Sequence, residues 1–143
     1  MNKIVLTKTD AERIYSLYKA DFKDGWNGQM LESAFDTGRF FCYGVADNGT
    51  LVGIISFSLA GDSADIEDLF VDNTFRRKGF ASFLFAELEK NLVDSNVKKL
   101  FLEVRAQNTP AINFYLKCGF KKISVRKKYY QDGEDALVLI KEY

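Results

Sequence analysis

Histidine is absent from this chain of 143 residues. Catalytic triads built on an imidazole, and metal sites ligated by one, are therefore excluded. Cysteine is scarce. Cys42 and Cys118 stand far apart in apolar surroundings, with no CxxC spacing. Zinc binding and dithiol redox chemistry are poor readings of such a pair, and two buried free thiols in a reducing compartment are expected. Net charge is missing as well, with 20 basic residues against 20 acidic ones. That balance argues against a general attraction to nucleic acid, though it leaves room for a local patch. No apolar run approaches the ~18–20 residues of a spanning helix. The opening stretch Met1-Asn2-Lys3-Ile4-Val5-Leu6-Thr7 lacks the apolar core of a secretory signal. The expectation is a cytoplasmic protein without a membrane or nucleic-acid partner and without a metal.

What is present suffices for a folded globule. Hydrophobic residues make up 47% of the chain, and the length suits one domain over residues 1–143 with a real core. Lys3 to Leu6 reads as a short strand. Thr9, with Glu12 three residues on, has the form of a capping box for a first helix carrying Ile14, Leu17 and Tyr18 on one face. A second helix is predicted over Gln29 to Phe35. Phe40 to Ala46 and Leu51 to Leu59 read as strands joined through Asp47-Asn48-Gly49, a hairpin signal. A strand follows over Ile66 to Val71, then a helix from about Gly79 to Leu92 with Leu84, Leu88 and Leu92 in register. Leu100 to Arg105 is the next strand. Thr109-Pro110 opens a helix that Gly119 closes. Ile123 to Lys128 and Ala136 to Ile140 complete the pattern. The fold class is mixed α/β: a central twisted sheet of about seven strands with helices on both faces.

One junction carries chemistry. Arg76-Arg77-Lys78-Gly79-Phe80-Ala81 joins a strand to a helix. The first turn of a helix has N–H groups without intrahelical partners, and its dipole favours an anion there. Gly79 leaves the backbone accessible, and Arg76, Arg77 and Lys78 add positive charge. A pyrophosphate suits this turn.

The turn Arg76-x-x-Gly79-x-Ala81 resembles the acetyl-CoA pyrophosphate loop of the GCN5-related N-acetyltransferase superfamily, and the order and length of the elements match that family along nearly the whole chain. The second half resembles its ribosomal-protein alanine N-acetyltransferase group. The matching residues are Leu102-Glu103-Val104-Arg105-Ala106-Gln107-Asn108, Ala111-Ile112-Asn113-Phe114-Tyr115, Gly119-Phe120, Arg126, Tyr129-Tyr130 and Glu134-Asp135-Ala136. Gly25-Trp26-Asn27 stands where the group has Pro-Trp-Ser and differs at both flanks. The resemblance implies direct transfer of acetyl from acetyl-CoA to the α-amine of a peptide or protein N-terminus, an alanine of a small-subunit ribosomal protein. It implies acetyl-CoA contacts from Leu69, Phe70, Val71, Ser82 and Asn108 besides the Arg76–Ala81 turn. It also implies acceptor contacts from Trp26, Tyr129 and Tyr130. A lysine, a polyamine or a small-molecule amine is the alternative acceptor, and a non-catalytic acyl-CoA-binding module is the alternative of another class.

Two residues are expected to do chemistry, each with a plainer reading beside it. Glu103 shares a strand face with Phe101 and Arg105, opposite Leu100, Leu102 and Val104. It is either half of a salt bridge or, as the resemblance implies, the base that relieves the attacking ammonium of a proton. An α-amine has a reference pKa of ~7.7–8.0, so a carboxylate of modestly raised pKa is base enough. Tyr115 is either core packing or the hydroxyl that meets the departing CoA thiolate. Asn108 reads as a helix cap, with a pantetheine contact open to it as well. Glu67 and Asp68 are rival bases, and strict alternation would put them on opposite faces. The cluster Lys121, Lys122, Arg126, Lys127, Lys128, Tyr129 and Tyr130 reads as a solvated hairpin face rather than a nucleic-acid surface.

Overall fold

The computed structural model describes residues 1–18 and 27–143. Trp26 lies outside them. Seven strands form one sheet: β1 (Ile4–Leu6), β2 (Phe40–Asp47), β3 (Thr50–Ala60), β4 (Ser63–Val71), β5 (Lys99–Arg105), β6 (Lys121–Arg126) and β7 (Ala136–Glu142). Among the described residues four α-helices accompany them: α1 (Ala11–Tyr18), α2 (Gly28–Asp36), α3 (Phe80–Asp94) and α4 (Thr109–Lys117). The spatial order is β1-β2-β3-β4-β5-β7-β6. The β4–β5 pair is parallel and every other pair is antiparallel.

Local chemistry explains the elements. Asn48 and Gly49 both have positive φ, 49° and 80°, which is the hairpin turn whose twist matches the flanking strands. Asn108 caps α4, its side chain accepting from the Ala111 N–H at 3.3 Å. One cap falls elsewhere than expected. The first helical segment begins with a 3-10 turn over Lys8–Asp10, and Asp10 accepts the Thr7 N–H at 2.8 Å. Thr7 and Asp10 thus make the capping box predicted for Thr9 and Glu12. The predicted strand Ile123 to Lys128 is likewise displaced to Lys121–Arg126, because Lys128 takes a positive φ of 52° and turns the chain away.

The sheet has a core on each face. Leu6, Ile14, Leu31, Phe40, Cys42 and Ile54 join α1 and α2 to one side. On the other side α3 and α4 contribute Phe80, Leu84, Leu88, Leu92 and Tyr115 over Ile55, Phe57, Ile66, Leu100 and Val104. Cys42 is buried, whereas Cys118 keeps partial exposure, so only one thiol is interior as expected.

Two irregularities open the sheet at its centre. β4 and β5 pair over only Ser63–Asp65 against Lys99–Phe101. Beyond that they part, and no strand among the described residues pairs with Ile66 to Val71 on the β5 side. The second is a bulge: Ser56 pairs with Asp68 but Phe57 pairs with Ile66, so Glu67 is the extra residue. Ile66 and Leu69 both pack toward α3 and α4, and two residues intervene where alternation allows one. Glu67 and Asp68 therefore line the same cleft. The expectation of opposite faces fails at this bulge.

Candidate active site

The gap between the parting strands continues into a cavity of about 440 Å³ beside the start of α3. Leu69, Phe70, Val71, Arg76, Arg77, Gly79, Phe80, Ala81, Ser82 and Asn108 line it. Lys78 is turned aside, with its ammonium 5.4 Å from the Phe75 ring centroid. Gly79 is the N-cap of α3 with φ +85°, a left-handed conformation that a side chain would strain. An added Cβ would meet only the Met1 methyl, at 3.9 Å. The glycine is thus required by backbone geometry and by access to the helix N-terminus rather than by crowding. Arg76 donates from Nε to the Val71 carbonyl at 3.0 Å, which anchors its guanidinium at the mouth. Phe75, Pro110, Ala111 and Phe114 also line the cavity. Their signal in the sequence, an apolar face of α4, reads equally well as core.

These features suit acetyl-CoA. A helix N-terminus with free N–H groups and adjacent arginines can hold a pyrophosphate. The β4 edge beyond Asp65, beside which no strand lies among the described residues, can offer backbone donors and acceptors to an extended amide-bearing arm, as a missing strand would.

A second, wider cleft of about 1070 Å³ adjoins it on the β5 side. Asn108, Ala111 and Tyr115 line both spaces. Glu103 faces this cleft, and Leu102 and Val104 are buried on the opposite side of β5 as predicted. Glu103 is exposed. Its Oε2 lies 3.5 Å from Arg126 Nε, so the salt bridge and the open cleft coexist. Tyr115 is 8% exposed and has no hydrogen-bond partner for its hydroxyl among the described residues. Burial, then the nearby charges of Asp68 and Cys118, push its phenol well above the ordinary range. It is therefore a neutral donor.

Tyr129 and Tyr130 pack edge to face at 5.1 Å on the far wall. Burial and the nearby charge of Glu103 raise the Tyr129 phenol. Arg105 fixes this wall. Its Nη1 reaches Asp132 Oδ2 at 2.9 Å and Glu134 Oε1 at 2.8 Å, and its guanidinium lies 4.1 Å from the Tyr130 ring centroid. Glu134 also accepts the Gln107 N–H at 2.9 Å. Sequence reasoning missed this clamp, because nothing local links Arg105 to carboxylates 27 and 29 residues away.

The rival carboxylates are distinct in character. Burial and the charge of Glu103 raise Asp65. Burial raises Glu67, with Asp65 and Glu103 adding and a hydrogen bond from Ser58 at 2.7 Å opposing. Asp68 is pushed up to about 7 by burial, against a hydrogen bond from the Leu69 backbone. The residue as a whole is only partly buried, yet its Oδ2 is sealed from solvent and has no hydrogen-bond partner among the described residues. On the hairpin face, Lys121 pairs with Glu142 and Lys127 with Asp135, as a solvated face would.

Comparison with known proteins agrees with this geometry. Residues 11–120 match the acetyltransferase (GNAT) family. The chain is 28% identical over 137 residues to the [ribosomal protein bS18]-alanine N-acetyltransferase of Escherichia coli K12, covering 94% of this chain and 92% of that protein. It is 47% identical over 66 residues to an N-alpha-acetyltransferase of Saccharolobus solfataricus, a match that spans 46% of this chain and 40% of that protein. The crystal structure of the ribosomal-protein-S18-alanine N-acetyltransferase from Escherichia coli superposes with a TM-score of 0.90 at 27% identity, over 99% of this chain and 92% of that one. No helix among the described residues is long and apolar enough to cross a membrane. The chain belongs to the acetyltransferase (GNAT) family, and is an N-acetyltransferase that draws its acetyl group from acetyl-CoA.

Proposed function

We propose that this N-acetyltransferase modifies the α-amine of a protein N-terminus, an alanine of a small-subunit ribosomal protein, by direct transfer in a ternary complex. The observation that carries the reading is the juxtaposition of Glu103 and Tyr115 across one cleft, at the point where β4 and β5 part. The near full-length relation to a bS18-alanine N-acetyltransferase supports the acceptor. Acetyl-CoA supplies an acetyl thioester, activated for attack by an amine.

The residues divide the remaining work. Arg76, Arg77 and the N–H groups after Gly79 hold the pyrophosphate, with Lys78 adding charge nearby. Backbone groups of Leu69, Phe70 and Val71, with Ser82 and Asn108, align the pantetheine arm. Glu103 receives the proton that the ammonium must lose. An α-amine is already partly neutral near pH 8, so the base needs little driving force. The Tyr115 hydroxyl donates a hydrogen bond to the departing sulfur. Its raised pKa makes it a stabiliser of the thiolate rather than a strong acid. Tyr129 and Tyr130 border the acceptor's first residues. Cytoplasmic action follows from a ribosomal acceptor.

The test is a mass-spectrometric survey of small-subunit ribosomal proteins from cells with and without this enzyme, joined to a purified assay on a matching Ala-initiated peptide. One N-terminus should lose its acetyl group without the enzyme, and the peptide should be acetylated in preference to free small amines. Turnover of a polyamine or lysine with no activity on the peptide would refute the reading.

A further inference from the structure

The net charge of the whole chain is +0, yet the acceptor cleft is strongly acidic. Asp65, Glu67, Asp68, Glu103, Asp132 and Glu134 line it, with Arg105 as the cation among the lining residues. Arg105 is occupied by Asp132, Glu134 and Tyr130. Arg126 sits at Glu103. Asp65, Glu67 and Asp68 have no cationic partner among the described residues. These three stand on one strand, brought to one side by the bulge at Glu67.

Asp65 and Glu67 are exposed, so water screens part of their mutual repulsion, and Asp68 is the member whose burial is costly, since a buried carboxylate needs a partner. Glu67 is held in place by Ser58 at 2.7 Å, and Asp68 Oδ2 is buried without a hydrogen-bond partner among the described residues. A structural carboxylate oxygen as deeply buried as Asp68 Oδ2 would be paired. Groups held against their own stability are the mark of a ligand site. A metal ion is a poor occupant, because no three carboxylates converge as a ligand set among the described residues. The ligand has to be an organic cation large enough to meet carboxylates spread along a strand.

We propose that Asp65, Glu67 and Asp68 form a subsite for a second positive charge on the acceptor, beside the amine that is acetylated. This rests on the N-terminal reading, under which the charge is a lysine or arginine side chain at the second or third position of the substrate. The cleft selects by attraction for that cation and by repulsion of an acidic residue in the same place.

The experiment measures kcat/KM for three heptapeptides that begin with alanine and differ only in Lys, Gln or Glu at positions two and three. The wild-type enzyme should prefer the Lys peptide over the Gln peptide by roughly tenfold or more, as a partly screened charge pair gives, and the Glu peptide should rank last. The preference should shrink with added salt. In Asp65→Asn and Asp68→Asn proteins, shown to be folded by circular dichroism, the Lys-to-Gln ratio should fall to about twofold or threefold. Equal kcat/KM for the Lys and Gln peptides in the wild type would overturn the subsite while leaving N-terminal acetylation intact. So would a ratio that persists in the Asp65→Asn, Asp68→Asn double variant. Spermidine and butylamine form the second arm. Turnover of spermidine alone, with no peptide acetylated, would refute the N-terminal reading yet support the cation subsite.

Discussion

Replacing Asp68 by asparagine should make the protein more stable, and by an amount that depends on pH. Asp68 titrates at about 7 in the folded chain against an ordinary value of 3.8, chiefly because burial penalises its charge. A carboxyl whose folded pKa is raised stabilises the fold only where it is protonated. That contribution is complete below pH ~4 and is lost as pH climbs through about 7. Each pKa unit is worth about 1.4 kcal/mol, so the loss reaches at most about 4 kcal/mol at pH 8. An asparagine side chain cannot ionise and escapes that loss, while keeping the volume of the aspartate it replaces. The two proteins should therefore melt together near pH 4 and diverge above pH 5, with Asp68→Asn higher. A chain of this size shifts by roughly 3 °C per kcal/mol, which allows a difference of up to about 12 °C at pH 8. Calorimetry or fluorescence melts across pH 4–8 measure it directly. A constant gap across that range would show that the buried charge is not its source. A variant less stable at pH 8 would show that a partner holds Asp68 in the folded state, and the reasoning would fail.

The other predictions concern the chemistry and the cofactor turn. Glu103→Gln should lower kcat by roughly 10²–10⁴-fold with acetyl-CoA affinity little changed; near-full activity, with Glu67→Gln inactive, would move the base to β4. Tyr115→Phe removes a hydroxyl that has no partner among the described residues, so Tm should stay within the effect of one hydrogen bond, roughly 0.5–1.5 kcal/mol. Its kcat should fall sharply, and less so with an acyl donor whose thiol leaves more easily; unchanged turnover at saturating acetyl-CoA would reduce the residue to packing. Gly79→Val places a branched side chain at φ +85°, which should cost about 1–2 kcal/mol in stability and weaken acetyl-CoA binding. Calorimetry finding wild-type affinity in the folded variant would detach the turn from the cofactor.

Local signals account for what could be read without coordinates. Asn48-Gly49, Thr109-Pro110 and the alternation from Leu100 to Arg105 each act over a few residues, and each stands where it was expected. Thr7-x-x-Asp10 and Thr9-x-x-Glu12 are equivalent as local patterns, so the choice between them falls to tertiary packing. The features that shape the site are not local. The placement of β7 between β5 and β6 follows from pairing across the whole second half of the chain. The bulge that sets Glu67 beside Asp68 exists only because β3 and β4 pair out of step. The Arg105 clamp and the early parting of β4 from β5 are likewise invisible to periodicity.

The placement of β7 also bears on how the molecule is made. β1 to β4 form a meander whose partners are adjacent in sequence beyond the first pair, and such contacts assemble early. β5, which carries Glu103, is joined to that meander by three register pairs, Ser63–Asp65 with Lys99–Phe101. Its remaining strand pairing comes from β7, from Lys99 with Glu142 to Arg105 with Ala136. During synthesis the strand bearing Glu103 is therefore an open edge until residues 136–142 have emerged. The growing chain can bury its first core well before it owns a competent cleft. An unpaired β5 is in that interval the segment most exposed to wrong partners, and a chaperone that shields strand edges would find its target there.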